Sequence, residues 1–183
     1  MTRVLVPLAP GCEEMEAVTI IDVLRRGGIE VVTASLDAHP VRASRGVVLV
    51  ADAVLADVIP SEFDMVIIPG GMGGTEALIA RQDFLDFLQR MNRAGRLIGA
   101  ICAAPLILGR LGLLDGIKFT AYPGVIDAET VPSASYTGNA VESDNLVLTS
   151  RGPGTALDFA LAVLERLAGR DVRITVEKQL VRE

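Results

Sequence analysis

Apolar residues in this chain fall into short continuous runs separated by segments with helical spacing. Residues 4–8, 65–68 and 97–101 are almost wholly apolar, the signature of strands buried on both faces. Residues 29–36 read as a further strand. Between the first two strands, residues 13–26 carry Ala17, Ile20, Ile21 and Leu24 at i, i+3, i+4, i+7, with acids in the first turn and arginines in the last. Gly27 and Gly28 supply the stop. Met15, Val18 and Val23 lie off that stripe and point to a subunit interface. Thr75 opens a further helical segment. Phe84, Phe87, Leu88 and Met91 mark another helix, up to Gly95, and Leu157, Ala160, Leu161, Leu164 and Leu167 a last long one, closed by Gly169 and followed by a charged tail. Residues 47–50 predict a hairpin edge after the turn Ser44-Arg45-Gly46, and 141–142 with 146–149 a hairpin around Ser143-Asp144-Asn145. Residues 118–121 read as a short strand; 124–139 have no clear period.

Strands alternating with helices predict an α/β fold: one domain over 1–183, a doubly wound, mostly parallel sheet with one antiparallel addition. In such sheets ligands bind beyond the carboxyl ends of the strands. Three loops meet that description: residues 11–16, the Gly70-Gly71 loop, and the turn at Cys102.

Composition narrows the function. Half of the 183 residues are hydrophobic and mean hydropathy is +0.45, yet no apolar run is long enough to span a bilayer. Net charge is −6 with a pI near 4.9 and no basic cluster, which argues against nucleic acid as a partner. The chain enters its first strand at once, without a signal peptide, so a cytoplasmic location and two reduced cysteines are expected. No Cys/His cluster suggests a metal, and no phosphate or dinucleotide fingerprint suggests a cofactor.

The chemistry centres on Arg96-Leu97-Ile98-Gly99-Ala100-Ile101-Cys102-Ala103-Ala104-Pro105. A buried strand runs directly into a buried helix, read as starting at Ala103, with Cys102 at the junction. That is the geometry of a nucleophile elbow with Cys in place of Ser, and a helix amino end favours a thiolate. The one histidine, His39, follows the second strand beside Asp37 and Pro40 and reads as solvated surface, so a base must be a carboxylate. Glu13, Glu14 and Glu16 cluster on a converging loop, and one of them needs to point inward. A buried glutamate beside a thiolate keeps its proton. Gly70, Gly71 and the amide after Cys102 offer backbone N–H donors to a developing oxyanion. Cys12, on the same rim, reads as packing.

Four motifs carry a resemblance: Glu13-Glu14-Met15-Glu16, Pro69-Gly70-Gly71, Ala100-Ile101-Cys102-Ala103-Ala104-Pro105, and Thr149-Ser150-Arg151-Gly152-Pro153-Gly154-Thr155. Together, in this order, the chain resembles the ThiJ/PfpI superfamily, and within it the branch of the Parkinson's-disease-associated protein deglycase and its bacterial relatives. The resemblance implies a flavodoxin-like, class I glutamine-amidotransferase-like fold and a homodimer. It implies an oxidation-sensitive nucleophile at Cys102, a protonated partner at Glu16, oxyanion amides from Gly71 and Ala103, and Arg45 near the site across the dimer. Tyr122 stands where the human relative has a histidine. Intracellular proteases of the superfamily carry His directly after the nucleophile, where this chain has Ala103. Glutamine amidotransferases use a late His-x-Glu pair, and no histidine follows His39.

Two functions are expected to compete. One is a hydrolase that detoxifies α-oxoaldehydes without glutathione, or removes early glycation adducts from proteins and nucleotides. The other is a non-catalytic oxidative-stress sensor or redox-regulated chaperone working through Cys102 oxidation.

Overall fold

The computed structural model describes residues 1–127 and 129–182. Residue 128, inside the stretch read as aperiodic, and residue 183 lie outside the described residues. The first half of the chain forms β1 (Arg3–Leu8), α1 (Glu14–Arg26), β2 (Glu30–Ser35), β3 (Val41–Arg42), β4 (Val48–Leu49), β5 (Ala53–Val54), α2 (Leu55–Val58) and β6 (Met65–Ile68). The second half forms α3 (Met72–Ile79), α4 (Gln82–Arg93), β7 (Leu97–Ile101), α5 (Pro105–Arg110), β8 (Lys118–Phe119), β9 (Ser135–Tyr136), β10 (Val141–Asp144), β11 (Val147–Ser150), α6 (Ala156–Ala168) and α7 (Arg170–Gln179).

Seven strands make the central sheet, in the order β10-β11-β7-β6-β1-β2-β5, all parallel except β10. From β1 the chain steps outward to β2 and β5. It then returns to β6 on the other side of β1 and steps outward again to β7 and β11. The winding therefore reverses between β1 and β6, and a crevice is expected beyond their carboxyl ends.

Period-two alternation divides the strand side chains between two cores. Val4, Val6 and Leu8 of β1 and Met65 and Ile67 of β6 meet α1 and α6 through Ile20, Leu24, Phe159 and Leu164. Leu5, Val66 and Ile68 face the other way, onto Leu78, Phe84, Phe87, Ile107 and Leu108 of α3, α4 and α5. Each fully buried Leu, Ile or Phe contributes roughly 1.5–3 kcal/mol by leaving water. Coverage of both faces explains the high hydropathy without a membrane span: no helix among the described residues is long and apolar enough to cross one.

The structure differs from the sequence reading at several elements. Val23 is buried, because α1 packs against both the sheet and α6 and needs a wider apolar face than one stripe; Met15 and Val18 stay exposed. The 47–50 hairpin edge is present as β4; its antiparallel partner β3, two residues long, is too short to show a period. Residues 118–121 do not join the main sheet: β8 covers 118–119 and pairs in parallel with β9. Helix α3 begins at Met72, three residues before Thr75, since the Gly71 carbonyl already accepts the Thr75 N–H at 2.9 Å. The charged tail is a helix, α7, buried through Val176 and tied by Arg173 to Glu165 (3.0 Å) and Glu177 (2.6 Å).

Candidate active site

The loop after β1 is stitched to the loop after β6 by the Glu13 N–H, which donates to the Gly70 carbonyl at 2.9 Å. Three neighbouring acids then take three different directions. Glu13 caps α1, its carboxylate accepting the Glu16 N–H at 2.8 Å. Glu14 reaches sideways to the turn before β4, accepting from the Ser44 hydroxyl and the Arg45 N–H, both at 2.9 Å. Glu16, within the first turn of the helix, is the one that points inward, and it is completely buried.

Cys102 directly follows β7 with φ +62°, a left-handed conformation that costs a non-glycine residue about 1–3 kcal/mol. Both its backbone groups are anchored. Its N–H donates to the Ser150 carbonyl at 2.9 Å, and its carbonyl accepts the Tyr122 N–H at 2.8 Å. Ala103 and Ala104 form a turn, so α5 starts at Pro105 and runs only six residues, later and shorter than the sequence suggests.

Gly70 brings the two groups together. Its N–H donates to Glu16 Oε2 at 2.7 Å. A β-carbon at position 70 would lie 2.5 Å from Cys102 Cβ, 2.7 Å from Glu16 Oε2 and 2.8 Å from the Ile101 carbonyl. The thiol lies against the carboxyl, while the backbone N–H groups of Gly71 and Ala103 face the sulfur. Glu16 Oε1 is buried without a hydrogen bond of good geometry among the described residues. Gly70 thus differs from its expected role: its amide is taken by Glu16, leaving Gly71 and Ala103 as the free donors. Gly71 has φ +84°, and a β-carbon there would lie 2.4 Å from the Gly11 carbonyl oxygen, so no other residue fits. We expect Gly70→Ala to push Cys102 and Glu16 apart and cost about 1–3 kcal/mol. Thermal melts and the alkylation rate of Cys102 check this; an unchanged alkylation rate would overturn it.

Burial sets the electrostatics. Glu16 is raised to about 7, mainly by desolvation, against the lowering effect of the Gly70 hydrogen bond. Burial also pushes the Cys102 thiol up, and the Glu16 charge adds to it, while the Gly71 and Ala103 amides pull it down. This reverses the expectation of a standing thiolate. Two amides and a six-residue helix do not offset desolvation beside an acid. Cys12 is buried and raised to about 11, again by desolvation first, in keeping with a packing role.

Comparison with known proteins sets this geometry in context. Residues 2–166 match the family model described as "DJ-1/PfpI family". The chain belongs to the DJ-1/PfpI family. It superposes on the crystal structure of Drosophila melanogaster DJ-1beta with a TM-score of 0.94 at 41% identity, covering 100% of this chain and 98% of that one. It is 37% identical to the Caenorhabditis elegans protein named glutathione-independent glyoxalase DJR-1.2, over 92% of this chain and 89% of that protein. It is 41% identical to Arabidopsis thaliana DJ-1 homolog A over 92% of this chain, but spans only 43% of that relative's length. The sheet is therefore the flavodoxin-like, class I glutamine-amidotransferase-like fold of a DJ-1/PfpI protein.

The remaining candidates sit around this centre. A cleft of about 550 Å³ opens beside it, lined by Tyr122, Pro123, Arg151, Gly152, Pro153 and Thr155. Tyr122 is half exposed at its edge. Cys102 is set back from the cleft, with 8% of its surface open. Arg45 does not join the site within one chain: it is exposed on the turn that Glu14 clamps, and its guanidinium makes no hydrogen bond among the described residues. His39 is exposed after β2, its N–H bonded to Asp37. Among the described residues no group of His, Cys, Asp and Glu could hold a metal.

Proposed function

We propose that this DJ-1/PfpI protein is a cysteine-dependent hydrolase acting on α-oxoaldehydes without glutathione, with early glycation adducts of proteins and nucleotides as related substrates. The observation that carries the reading is the buried Cys102–Glu16 pair packed against Gly70, with Glu16 raised to about 7. A base with that value works at neutral pH. Its chemistry follows from the atoms present. Glu16 takes the thiol proton as Cys102 Sγ adds to the aldehyde carbon, giving a hemithioacetal, and the amides of Gly71 and Ala103 hold the oxygen charge. Glu16 passes that proton to the hemithioacetal oxygen and is a carboxylate again. Glu16 then removes the hydrogen from the former aldehyde carbon and returns it to the neighbouring carbon through an enediol. The product is a thioester of the 2-hydroxy acid. Water hydrolyses it, releasing the acid and restoring the thiol. The overall change is addition of one water, with no external oxidant or reductant. The name of the Caenorhabditis elegans relative supports the substrate class.

Purified protein given methylglyoxal without glutathione should form lactate; none formed would overturn the reading. The unsatisfied Glu16 Oε1 favours a second reading, a sensor in which Cys102 is oxidised to a sulfinate that accepts a hydrogen bond from a protonated Glu16. Absence of lactate together with two oxygens gained at Cys102 under mild peroxide would favour it.

We also propose a cytoplasmic homodimer. Met15 and Val18 on α1 and Val48 and Val50 on the hairpin are exposed, and Glu14 ties the two elements together. Arg45 then serves the partner's site. Light scattering should give twice 19.3 kDa for the wild type and a shift toward one chain for Val18→Asp. A monomeric wild type would overturn it.

A further inference from the structure

The segment Thr149-Ser150-Arg151-Gly152-Pro153-Gly154-Thr155 contributes none of the reacting groups, yet it holds a chain of buried hydroxyls behind the nucleophile. Two hydrogen bonds anchor the left-handed backbone of Cys102, to the Ser150 carbonyl and from the Tyr122 N–H. Each anchor rests on side-chain hydroxyls.

The first arm runs through Ser150 and Thr155. Ser150 Oγ donates to the Ala140 carbonyl at 2.8 Å and lies 2.7 Å from Thr155 Oγ1. Thr155 Oγ1 also lies 2.9 Å from the Gly152 carbonyl, so the two hydroxyls share two protons among the Ala140 carbonyl, the Gly152 carbonyl and the contact with each other. Thr155 Oγ1 in turn accepts the Gly152 N–H at 3.1 Å. The network joins the Gly152 backbone, the Thr155 hydroxyl, the Ser150 hydroxyl and the Ala140 carbonyl. Ser150 is fully buried and Thr155 nearly so. This chain fixes the end of β11, whose last carbonyl holds the Cys102 N–H.

The second arm runs through Thr149 and Thr120. Thr149 Oγ1 accepts the Thr120 N–H at 2.9 Å, and Thr120 Oγ1 donates to the Asn139 carbonyl at 2.8 Å. Both residues are buried. Thr120 lies two residues before Tyr122, whose N–H holds the Cys102 carbonyl. The same Thr149 contact takes Thr120 out of the ladder that β8 would otherwise extend.

We propose that the hydroxyls of Thr155, Ser150 and Thr149 are positioning groups: they hold the strained Cys102 backbone so that Sγ stays between Glu16 and the amides of Gly71 and Ala103. Its activity readout rests on the α-oxoaldehyde reading; its thiol readout does not. A buried hydroxyl chain suits the task because its members polarise one another and an unpaired member is costly. A displacement of about 1 Å at the sulfur is enough to cost roughly a hundredfold in rate.

The test compares Thr155→Val and Thr149→Val with Thr155→Ser and Thr149→Ser, and uses Thr33→Val as control. Thr33 also loses a buried hydroxyl contact, to Asp52 at 2.8 Å, but lies on β2, away from the site. For each folded variant, the iodoacetamide rate of the Cys102 peptide is followed against pH by mass spectrometry, which separates it from Cys12. Turnover of methylglyoxal is resolved into kcat and KM. The valine variants should lose at least about tenfold in kcat with KM changed less than about twofold, and should shift the alkylation profile. The serine variants and Thr33→Val should match the wild type. Folded valine variants with wild-type alkylation profiles would overturn the proposal, as would a Thr33→Val variant that moves the profile equally. Should Thr155→Val fail to fold, Thr149→Val decides alone. Should the wild type make no lactate, the α-oxoaldehyde reading falls while the alkylation profiles still decide the positioning role.

Discussion

Cys102→Ala should abolish lactate formation from methylglyoxal, by roughly a thousandfold or more in kcat, while leaving the fold in place. The size follows from what remains once the sulfur is gone. Glu16 can move a proton, and the amides of Gly71 and Ala103 can hold an oxygen charge, but neither forms the carbon bond that tethers the substrate. Cys12 does not substitute, since the sulfur beside Glu16 and the Gly71 and Ala103 amides is that of Cys102. His39 is exposed beyond β2. Cys102→Ser should be nearly as inactive, because an alcohol is far less acidic than a thiol and Glu16, at about 7, is too weak a base to activate it. Alanine fills the space of the Cys102 β-carbon and keeps both backbone anchors, so circular dichroism should be unchanged. The Cys102→Ala variant retaining a tenth of wild-type turnover would remove the thiol from the mechanism.

Much of the sheet was legible because strands buried on both faces leave continuous apolar runs, as in 65–68 and 97–101, and because α4 shows its apolar face cleanly through Phe84, Phe87, Leu88 and Met91. Elements held by a few specific contacts were not legible. Helix α7 fully buries Val176 alone and is tied by the Arg173 ion pairs, and β3 is two residues long. At the site, position along the chain identified Cys102, but the direction of each acid depends on capping. Glu13 satisfies the Glu16 N–H, and that fixes which carboxyl turns inward. The sign of the Cys102 shift was also hidden, since it depends on desolvation, which no spacing reports. The hydroxyls of Thr149, Ser150 and Thr155 carried one signal, three hydroxyl residues clustered at a strand-to-helix connection, whose meaning appears only when β11 is seen to lie beside β7.

Glu16→Gln should separate activity from stability in opposite directions. Glutamine keeps an oxygen for the Gly70 N–H and an amide to face the sulfur, so the thiol stays in place. It has no proton to accept or return, and turnover should fall by about 10²–10⁴-fold. Stability moves the other way. In the unfolded chain Glu16 loses its proton near its ordinary value of 4.5, whereas the folded chain holds it until about 7. A group raised in this way favours the folded state fully below pH 4.5, and that contribution disappears as pH rises through 7. The displacement from 4.5 to about 7 corresponds to about 3 kcal/mol. Glutamine carries no such ionisation. The difference in Tm, variant minus wild type, should therefore rise between pH 4.5 and 7 and level off above pH 8. Thermal melts of both proteins from pH 4 to 8 measure it. A Tm difference that stays constant with pH would show that Glu16 does not titrate in a buried site, and a base that ionises freely in water would have no reason to exchange its proton with Cys102.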